Sequence, residues 1–201
     1  MESVTTLGSA TRRKPGARRL QILQTLASML EEPKGEKVTT AALAERLSVS
    51  EAALYRHFAS KAQMFEGLIE FIETTIFGLI NDIAAREQSG LKQARSTVLM
   101  LLEFAQTNRG MTRVLIGDAL VNENDRLQER MNQMFERIES SLKQSFRLAV
   151  TEQELPGDFD AASRAALAVA YVIGRWHRFA KSGFRKPPAD GIEAQLPVLL
   201  S

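Results

Sequence analysis

Apolar residues recur along most of this chain at spacings of three and four, which is the repeat of an α-helix. The pattern predicts helices over residues 17–32, 61–88, 91–106, 109–116, 119–150, 160–182 and 191–200. Two shorter helices are predicted between residues 38 and 61. No segment alternates apolar and polar residues as a half-buried strand would. The predicted fold class is therefore all-α, with about nine helices.

The predicted helix over residues 61–88 has apolar residues on nearly every side, which is typical of a helix buried by several neighbours. These positions are Phe65, Leu68, Ile69, Ile72, Ile76, Leu79, Ile80 and Ile83. The segment over residues 165–179 differs, because its small residues allow another helix to approach closely. We expect this segment to form a dimer interface, with packing inside the monomer as the alternative. The residues predicted for that interface are Tyr171, Gly174, Trp176 and Phe179.

The segment over residues 38–61 carries the clearest functional signal. Thr39 and Thr40 are suited to cap a helix, because a hydroxyl accepts from the free N–H groups of the first turn. A short polar break follows, and Ser50 is placed to cap a second helix that ends near Phe58. Two short helices joined by a tight turn are the pattern of a helix-turn-helix, whose second helix enters the DNA major groove.

The second helix separates its side chains by face. Leu54 and Phe58 share the inner face, whereas Ala52, Ala53 and Arg56 point the opposite way. Small alanines let the backbone approach the bases, and Arg56 is suited to read guanine or to hold a phosphate. The residues predicted to contact DNA are Thr39, Thr40, Ser50, Ala52, Ala53, Tyr55, Arg56, His57 and Lys61. The alternative is a helical hairpin used only for packing.

The charge of the chain changes sign near residue 62. Residues 1–62 hold 10 basic and 6 acidic side chains, a net charge of +4, whereas residues 63–201 hold 16 and 18, a net charge of −2. A basic front and a slightly acidic remainder fit a protein that binds DNA at one end. Residues 1–16, which include Arg12, Arg13 and Lys14, are predicted to form a flexible basic arm.

The run S-x-x-x-L-Y-x-x-F-x-S-K, from Ser50 to Lys61, resembles the DNA-binding signature of TetR-type regulators. One departure is Ser48, which stands in the turn where glycine is common. The resemblance implies a DNA-binding domain over residues 17–62 and a helical dimerisation and regulatory domain over residues 63–201. A dimer also follows from geometry, because one recognition helix reads only a few base pairs and a palindromic site needs two.

The runs over residues 50–73 and 110–139 further resemble those of the nucleoid occlusion factors within that family. Such factors bind palindromic chromosomal sites and disrupt polymers of the division protein FtsZ, so that no septum forms over the nucleoid. The resemblance implies that the FtsZ C-terminal tail binds between the fourth and fifth helices. It also implies that Phe71, Asn108 and Arg113 bind this partner.

This sequence departs from the implied groove in its charges. Leu79 and Thr107 are neutral where the resemblance implies basic residues, and Glu103 is acidic where it implies a small one. Either the partner's tail differs, or other cations compensate. The candidates are Arg86, Arg95, Arg109 and Arg113.

Two further functions remain open on the sequence. One is a TetR-type transcriptional repressor that a small molecule releases from its operator, which requires an internal cavity. The large apolar residues of the fourth helix, such as Phe65, Ile72 and Ile76, instead predict a filled interior. The other is a chromatin-packing role without a specific effector.

The chain offers little for catalysis. His57 and His177 lie in different predicted domains, and no clustered metal ligands, Walker loop, GxGxxG or GxSxG motif occurs. We therefore predict no enzymatic activity, no metal and no cofactor. The polar N-terminus and the lack of an 18-residue apolar run predict a cytoplasmic protein that associates with the nucleoid and not with a membrane.

Overall fold

A computed structural model describes residues 16–32, 38–121 and 123–201. The predicted basic arm over residues 1–16 lies outside the described residues except for Gly16. The described residues form nine α-helices and no strand, which confirms the all-α prediction. The helices are α1 (Ala17–Leu30), α2 (Thr40–Arg46), α3 (Glu51–Tyr55), α4 (Lys61–Arg86), α5 (Gly90–Thr107), α6 (Arg109–Leu115), α7 (Asp125–Thr151), α8 (Ala161–Lys181) and α9 (Ile192–Leu200).

Two helix boundaries differ from the prediction by three residues or more, and the others differ by two or fewer. Helix α3 ends at Tyr55 because the His57 N–H already bonds three residues back, to the Leu54 carbonyl at 2.8 Å. Helix α7 begins at Asp125 because the preceding residues form a separate 3-10 turn, Asp118–Leu120. We call this the 3-10 turn.

Polar side chains fix where several helices begin. The hydroxyl of Thr39 accepts from the Ala42 N–H at 3.1 Å at the start of α2. Ser50 and Ser60 cap α3 and α4 in the same way. Each cap satisfies a backbone donor that the helix itself leaves free. The predicted caps at Thr39 and Ser50 are therefore confirmed.

Helix α4 runs from the front unit, formed by α1 to α3, into the body formed by α5 to α9. Its first four turns are buried on several sides, as predicted, and Ile72 and Ile76 are fully buried. Leu79 is exposed instead, although its neighbour Ile80 is buried, because the two side chains point to different sides of α4. The apolar periodicity thus identified most of the buried residues of α4 but wrongly included Leu79 among them.

Close helix contacts join the front unit to the body. A Cβ atom added at Gly110 of α6 would lie 1.8 Å from the Ala27 carbonyl oxygen of α1, so glycine is needed for this approach. Within the body, α5 packs between α7 and α8, and the Trp176 indole of α8 donates to the Leu101 carbonyl at 3.0 Å. These contacts hold the helix-turn-helix at one end of the molecule.

Candidate nucleic-acid interface and partner cleft

The turn between α2 and α3 contains a serine in the left-handed region. Ser48 has φ +52°, a conformation that residues with a side chain rarely adopt. Beside it, the Thr40 hydroxyl donates to Glu51 at 2.5 Å and accepts from the Tyr55 hydroxyl at 3.4 Å. These bonds hold α3 at a fixed angle to α2. Thr40 therefore has a local structural role in addition to its predicted place at the interface.

Helix α3 presents its side chains as the sequence predicted. Leu54 and Phe58 are buried against the other helices of the front unit. Ala52, Tyr55 and Arg56 are exposed on the outer side. Ala53 and His57 are partly exposed. The outer side of α3 is thus exposed, so that this helix could enter the major groove of DNA.

Arg19 of α1 is a basic residue at this interface that the sequence analysis missed. Its guanidinium donates to the His57 carbonyl at 2.5 Å and lies 4.1 Å from the centre of the Phe58 ring. It therefore fixes the end of the recognition helix from another element. The available signal was the basic pair Arg18 and Arg19 at the start of α1, four and five residues beyond the predicted arm's last basic residue.

Lys61 is not a free cation in this structure. Its ammonium lies 2.5 Å from the Glu123 carboxylate, and both side chains are partly buried. Glu123 comes from the segment before α7, so sequence spacing gave no sign of the pair. Lys61 can reach a DNA phosphate only by exchanging this partner, because a partly buried ammonium keeps a counter-charge.

An open cleft of about 370 Å³ lies between α4 and α5. Its apolar lining is Leu79, Ile83, Leu99 and Met100, and its polar lining is Asp82, Arg86, Glu87, Ser96 and Glu103. Three carboxylates against one guanidinium give the lining an acidic balance. Of the four arginines considered as replacements for the missing basic residues, only Arg86 lines this cleft.

Phe71 lies on the same face of α4 as Thr75 and Leu79, which follow it at spacings of four. Its side chain is 37% exposed, so the ring is not part of the core. Two helical turns separate it from Leu79, about 12 Å along the axis. The exposed apolar surface beside α5 therefore extends from the cleft toward the front unit.

Asn108 and Arg113 are used within the chain. The Asn108 amide donates to the Phe104 carbonyl at 2.8 Å and closes the end of α5. The Arg113 guanidinium, with a side chain only 17% exposed, pairs with Asp118 of the 3-10 turn at 3.2 Å. Arg113 thus joins α6 to the 3-10 turn, and its assignment to partner binding stays a prediction.

Two of the residues predicted for the dimer interface lie in the protomer core. Trp176 and Phe179 are each 1% exposed, so neither ring can anchor a partner subunit, and their assignment to the interface is wrong. The small residues of α8 had indicated the interface, but these rings lie on the opposite face. Gly174 is exposed, and the Tyr171 hydroxyl donates to Gln195 of α9.

The exposed face of α8 carries the predicted Gly174 together with residues that the prediction did not name. Ala166, Ala170 and Gly174 follow one another at spacings of four, with Leu167 beside them. Val198 of α9 is 74% exposed. Together these residues form a small-residue strip with apolar flanks, which we call the α8 strip. A count of small residues at spacings of four along α8 would have indicated it from the sequence.

The described residues contain neither a metal-binding cluster nor a membrane-spanning helix. Within residues 16–32, 38–121 and 123–201, no group of three or more His, Cys, Asp or Glu side chains could hold a metal ion. No helix among these residues is both long and apolar enough to cross a membrane.

Comparisons with known families agree with this geometry. Residues 27–68 match the model of bacterial regulatory proteins of the tetR family. Residues 88–201 match the SlmA-like model, described as a tetracyclin repressor-like C-terminal domain. The fold also resembles FadR, a fatty acid degradation regulator from Bacillus halodurans, with a TM-score of 0.78, 12% identity, and coverage of 94% of this chain and 97% of that one. The class is that of the TetR-type regulators.

Relatives of higher identity narrow the class. The nucleoid occlusion factor SlmA of Idiomarina loihiensis is 47% identical over 182 residues, which are 90% of this chain and 93% of the relative. SlmA of Aliivibrio fischeri strain MJ11 is 48% identical over 191 residues, 94% of this chain and 97% of the relative. The chain therefore belongs to the SlmA family of nucleoid occlusion factors.

Proposed function

We propose that this protein is a DNA-bound nucleoid occlusion factor. As a homodimer it binds palindromic sites on the chromosome, antagonises FtsZ polymerisation and so blocks septum formation over the nucleoid. The observation that carries this proposal is the combination of a helix-turn-helix front with a SlmA-like body, at about 47% identity over 90% of the chain. The protein then works in the cytoplasm, on the nucleoid, and its action requires no catalysis.

The exposed side of α3 supports the DNA-binding part of the proposal. Arg56 projects outward, and exposed Ala52 leaves room for the backbone to approach the floor of the major groove. Thr39 and Tyr55 lie on the rims, where hydroxyl groups donate to phosphates and fix the register. The net charge of +4 over residues 1–62 adds long-range attraction to the duplex.

The α8 strip supports the homodimer. Ala170 and Gly174 let two copies of α8 approach each other closely, and Leu167 and Val198 supply apolar area that water would otherwise cover. A twofold arrangement presents two copies of α3 to the two halves of a palindrome.

The α4–α5 cleft and Phe71 support a peptide partner. An exposed aromatic ring beside an apolar cleft is a typical anchor for an extended peptide. Because Asp82, Glu87 and Glu103 line the cleft, it favours a segment that is apolar or basic at this point over one that is acidic. This differs from the charge expected from the resemblance, and we therefore propose that the FtsZ tail binds here mainly through apolar contacts.

Assembly of FtsZ measured by light scattering tests the proposal. We expect the wild-type protein to reduce polymer, and to reduce it further when genomic DNA fragments that it selects are present. Phe71→Ala should bind those fragments as well as the wild type. It should need about tenfold more protein for the same loss of scattering, because truncating an aromatic anchor commonly costs more than 1 kcal/mol. Val121→Ala removes an exposed apolar side chain outside α4 and α5 and serves as the control.

Unchanged scattering with the wild type, both with and without DNA, would contradict the division-antagonist function. The repressor alternative would then be tested by adding metabolites and measuring operator release. The full burial of Ile72 and Ile76 in the interior of the body argues against that alternative, because a ligand needs space among such residues.

A further inference from the structure

The corner where α8 turns into α9 is strongly basic. Residues 175–189 contain five Lys or Arg side chains and no Asp or Glu. Arg109 of α6 joins them, since its guanidinium lies 5.9 Å from the centre of the Phe184 ring. Arg175 and Lys181 are held by bonds within the chain. The exposed cations without a carboxylate partner among the described residues, which we call the basic corner, are Arg109, Arg178, Arg185 and Lys186.

The turn that carries the basic corner is built by specific bonds. The Ser182 hydroxyl accepts from the Arg185 and Lys186 N–H groups at 3.1 and 3.0 Å and donates to the Phe179 carbonyl at 2.8 Å. Phe184 has φ +62°, and its ring packs edge-on against Phe179 with the ring centres 5.0 Å apart. A bulky residue keeps such a backbone conformation only where the surrounding structure imposes it. The cations are therefore presented on a defined turn.

Two ion pairs place the basic corner at the end of the body that faces the helix-turn-helix. Lys181, in the last turn of α8, pairs with Asp118 at 2.5 Å. Lys61, in the first turn of α4, pairs with Glu123. Asp118 and Glu123 are five residues apart, so their Cα atoms are separated by at most about 18 Å. The basic corner thus lies at the same end of the body as the start of α4, where Lys61 follows the recognition helix.

The four cations of the basic corner outnumber the carboxylates near it, which are Glu31 beside Gly110, Asp118 and Asp190. Asp118 already accepts from both Arg113 and Lys181, so it has little capacity for a third cation. Asp190 follows the turn and is the next acidic residue along the chain. A concentrated positive surface of this kind is complementary to a polyanion.

We propose that the basic corner binds the phosphate backbone of the same DNA duplex that α3 reads, independently of its sequence. The two corners of a dimer then add contacts outside the major-groove interface and strengthen binding without changing which site is preferred. This inference rests on the proposed DNA-binding function, and it adds a second contact surface to the helix-turn-helix. An acidic protein segment or an anionic membrane are the competing ligands for such a surface.

The salt dependence of DNA affinity tests the inference. The double variant Arg185→Gln with Lys186→Gln should reduce the slope of log affinity against log salt concentration. The expected reduction is about 2 to 4 units per dimer, from a slope of about 0.9 per phosphate contact. Affinity for selected and random duplexes should fall by the same factor, so that their ratio is unchanged. Fluorescence anisotropy with labelled duplexes at several KCl concentrations measures all three quantities.

A matched control distinguishes the loss of phosphate contacts from the loss of net positive charge. Lys143→Gln with Arg147→Gln removes the same charge from the second half of α7, which adjoins the start of α5 at the far end of the body. Because screening extends only about 10 Å at 0.1 M salt, this variant should keep the wild-type slope. Equal slopes for both double variants would overturn the inference.

Two other results are informative. If vesicles of phosphatidylglycerol bind the wild type but not the corner variant, while the DNA slope is unchanged, the corner is a lipid-binding surface and the DNA inference is wrong. If the wild type does not distinguish selected from random duplexes, the proposed DNA-binding function itself fails. The wild-type specificity ratio and the slope of the variant thus report the two failures separately.

Discussion

Ser48 has a strained backbone conformation within the helix-turn-helix. Its left-handed backbone lets the chain turn from α2 into α3, and glycine would adopt that conformation without crowding a Cβ atom. The serine is exposed and its N–H bonds to the Glu45 carbonyl at 2.9 Å, a bond that glycine keeps. The cost therefore lies in the backbone conformation and not in lost contacts.

Ser48→Gly should stabilise the protein by about 0.5–1 kcal/mol, because it removes left-handed strain, although glycine loses more backbone entropy on folding. Urea unfolding followed by circular dichroism measures the change. Ser140→Gly is the matched control, since Ser140 is exposed in the middle of α7, and there glycine should destabilise by about 0.5–1 kcal/mol. A shift of the same sign in both variants would contradict the strain at Ser48.

Residues that form local bonds were predictable, and residues that form distant ones were not. Thr39 and Ser50 were identified as caps because the donors they serve lie three residues along the chain. The ion pair and the burial of Arg113 were not predicted, because they depend on how α6 meets the 3-10 turn. Lys61 was taken for a free cation because Glu123 lies 62 residues away.

At the scale of elements, Glu154 ties the end of α7 to the start of α5. Its carboxylate accepts hydrogen bonds from the Ser89 hydroxyl and the Leu91 N–H, which lower the pKa of Glu154 below its usual value. A carboxylate at a helix start satisfies a free backbone donor and favours the positive end of the helix dipole. The two helices are thus joined at the end of the body far from the front unit.

The contribution of Glu154 to stability should depend on pH. Since its pKa is lower in the folded state than in the unfolded state, the contribution is complete above the unfolded value of about 4.3. It is lost as the pH falls through the folded value. Glu154→Gln should therefore lower stability by at most about 0.5 kcal/mol at neutral pH, since the carboxylate is exposed and screened by solvent, and by less near pH 3.

Urea unfolding at the two pH values measures this difference. Glu152→Gln removes an exposed carboxylate two residues away that accepts no hydrogen bond recorded among the described residues, so it should be neutral at both pH values. An equal effect of Glu154→Gln at both pH values would show that the charge of this carboxylate is not what holds the helix ends together.

At the scale of the whole molecule, the α8 strip determines the expected assembly. A Cβ atom added at Gly174 meets nothing within 4 Å, so packing within the protomer does not require glycine there. A second copy packed against the strip would require a small residue at this position, because only small residues let two helices approach closely. The same position is thus neutral in the protomer and critical in the proposed dimer.

Gly174→Arg should leave the free energy of unfolding of the protomer unchanged. It should shift the mass measured by sedimentation from that of a dimer to 22.3 kDa. Affinity for a palindrome should fall with it, because a single recognition helix makes half of the contacts. Gly78→Arg places the same residue at another open helix position, on α4, and should remain dimeric. A dimeric Gly174→Arg variant would remove the α8 strip from the interface.

The sequence by itself determined the helices, most of their boundaries, the caps at Thr39 and Ser50, and the outward face of α3. These features depend on backbone bonds and side-chain spacing within a few residues, which the order of residues encodes directly. Only the tertiary structure decided that Trp176 faces the core, that Lys61 is paired and that the basic corner lies at the same end of the body as the start of α4. Such facts join residues that are far apart in the chain, and they depend on the angles at which whole helices pack.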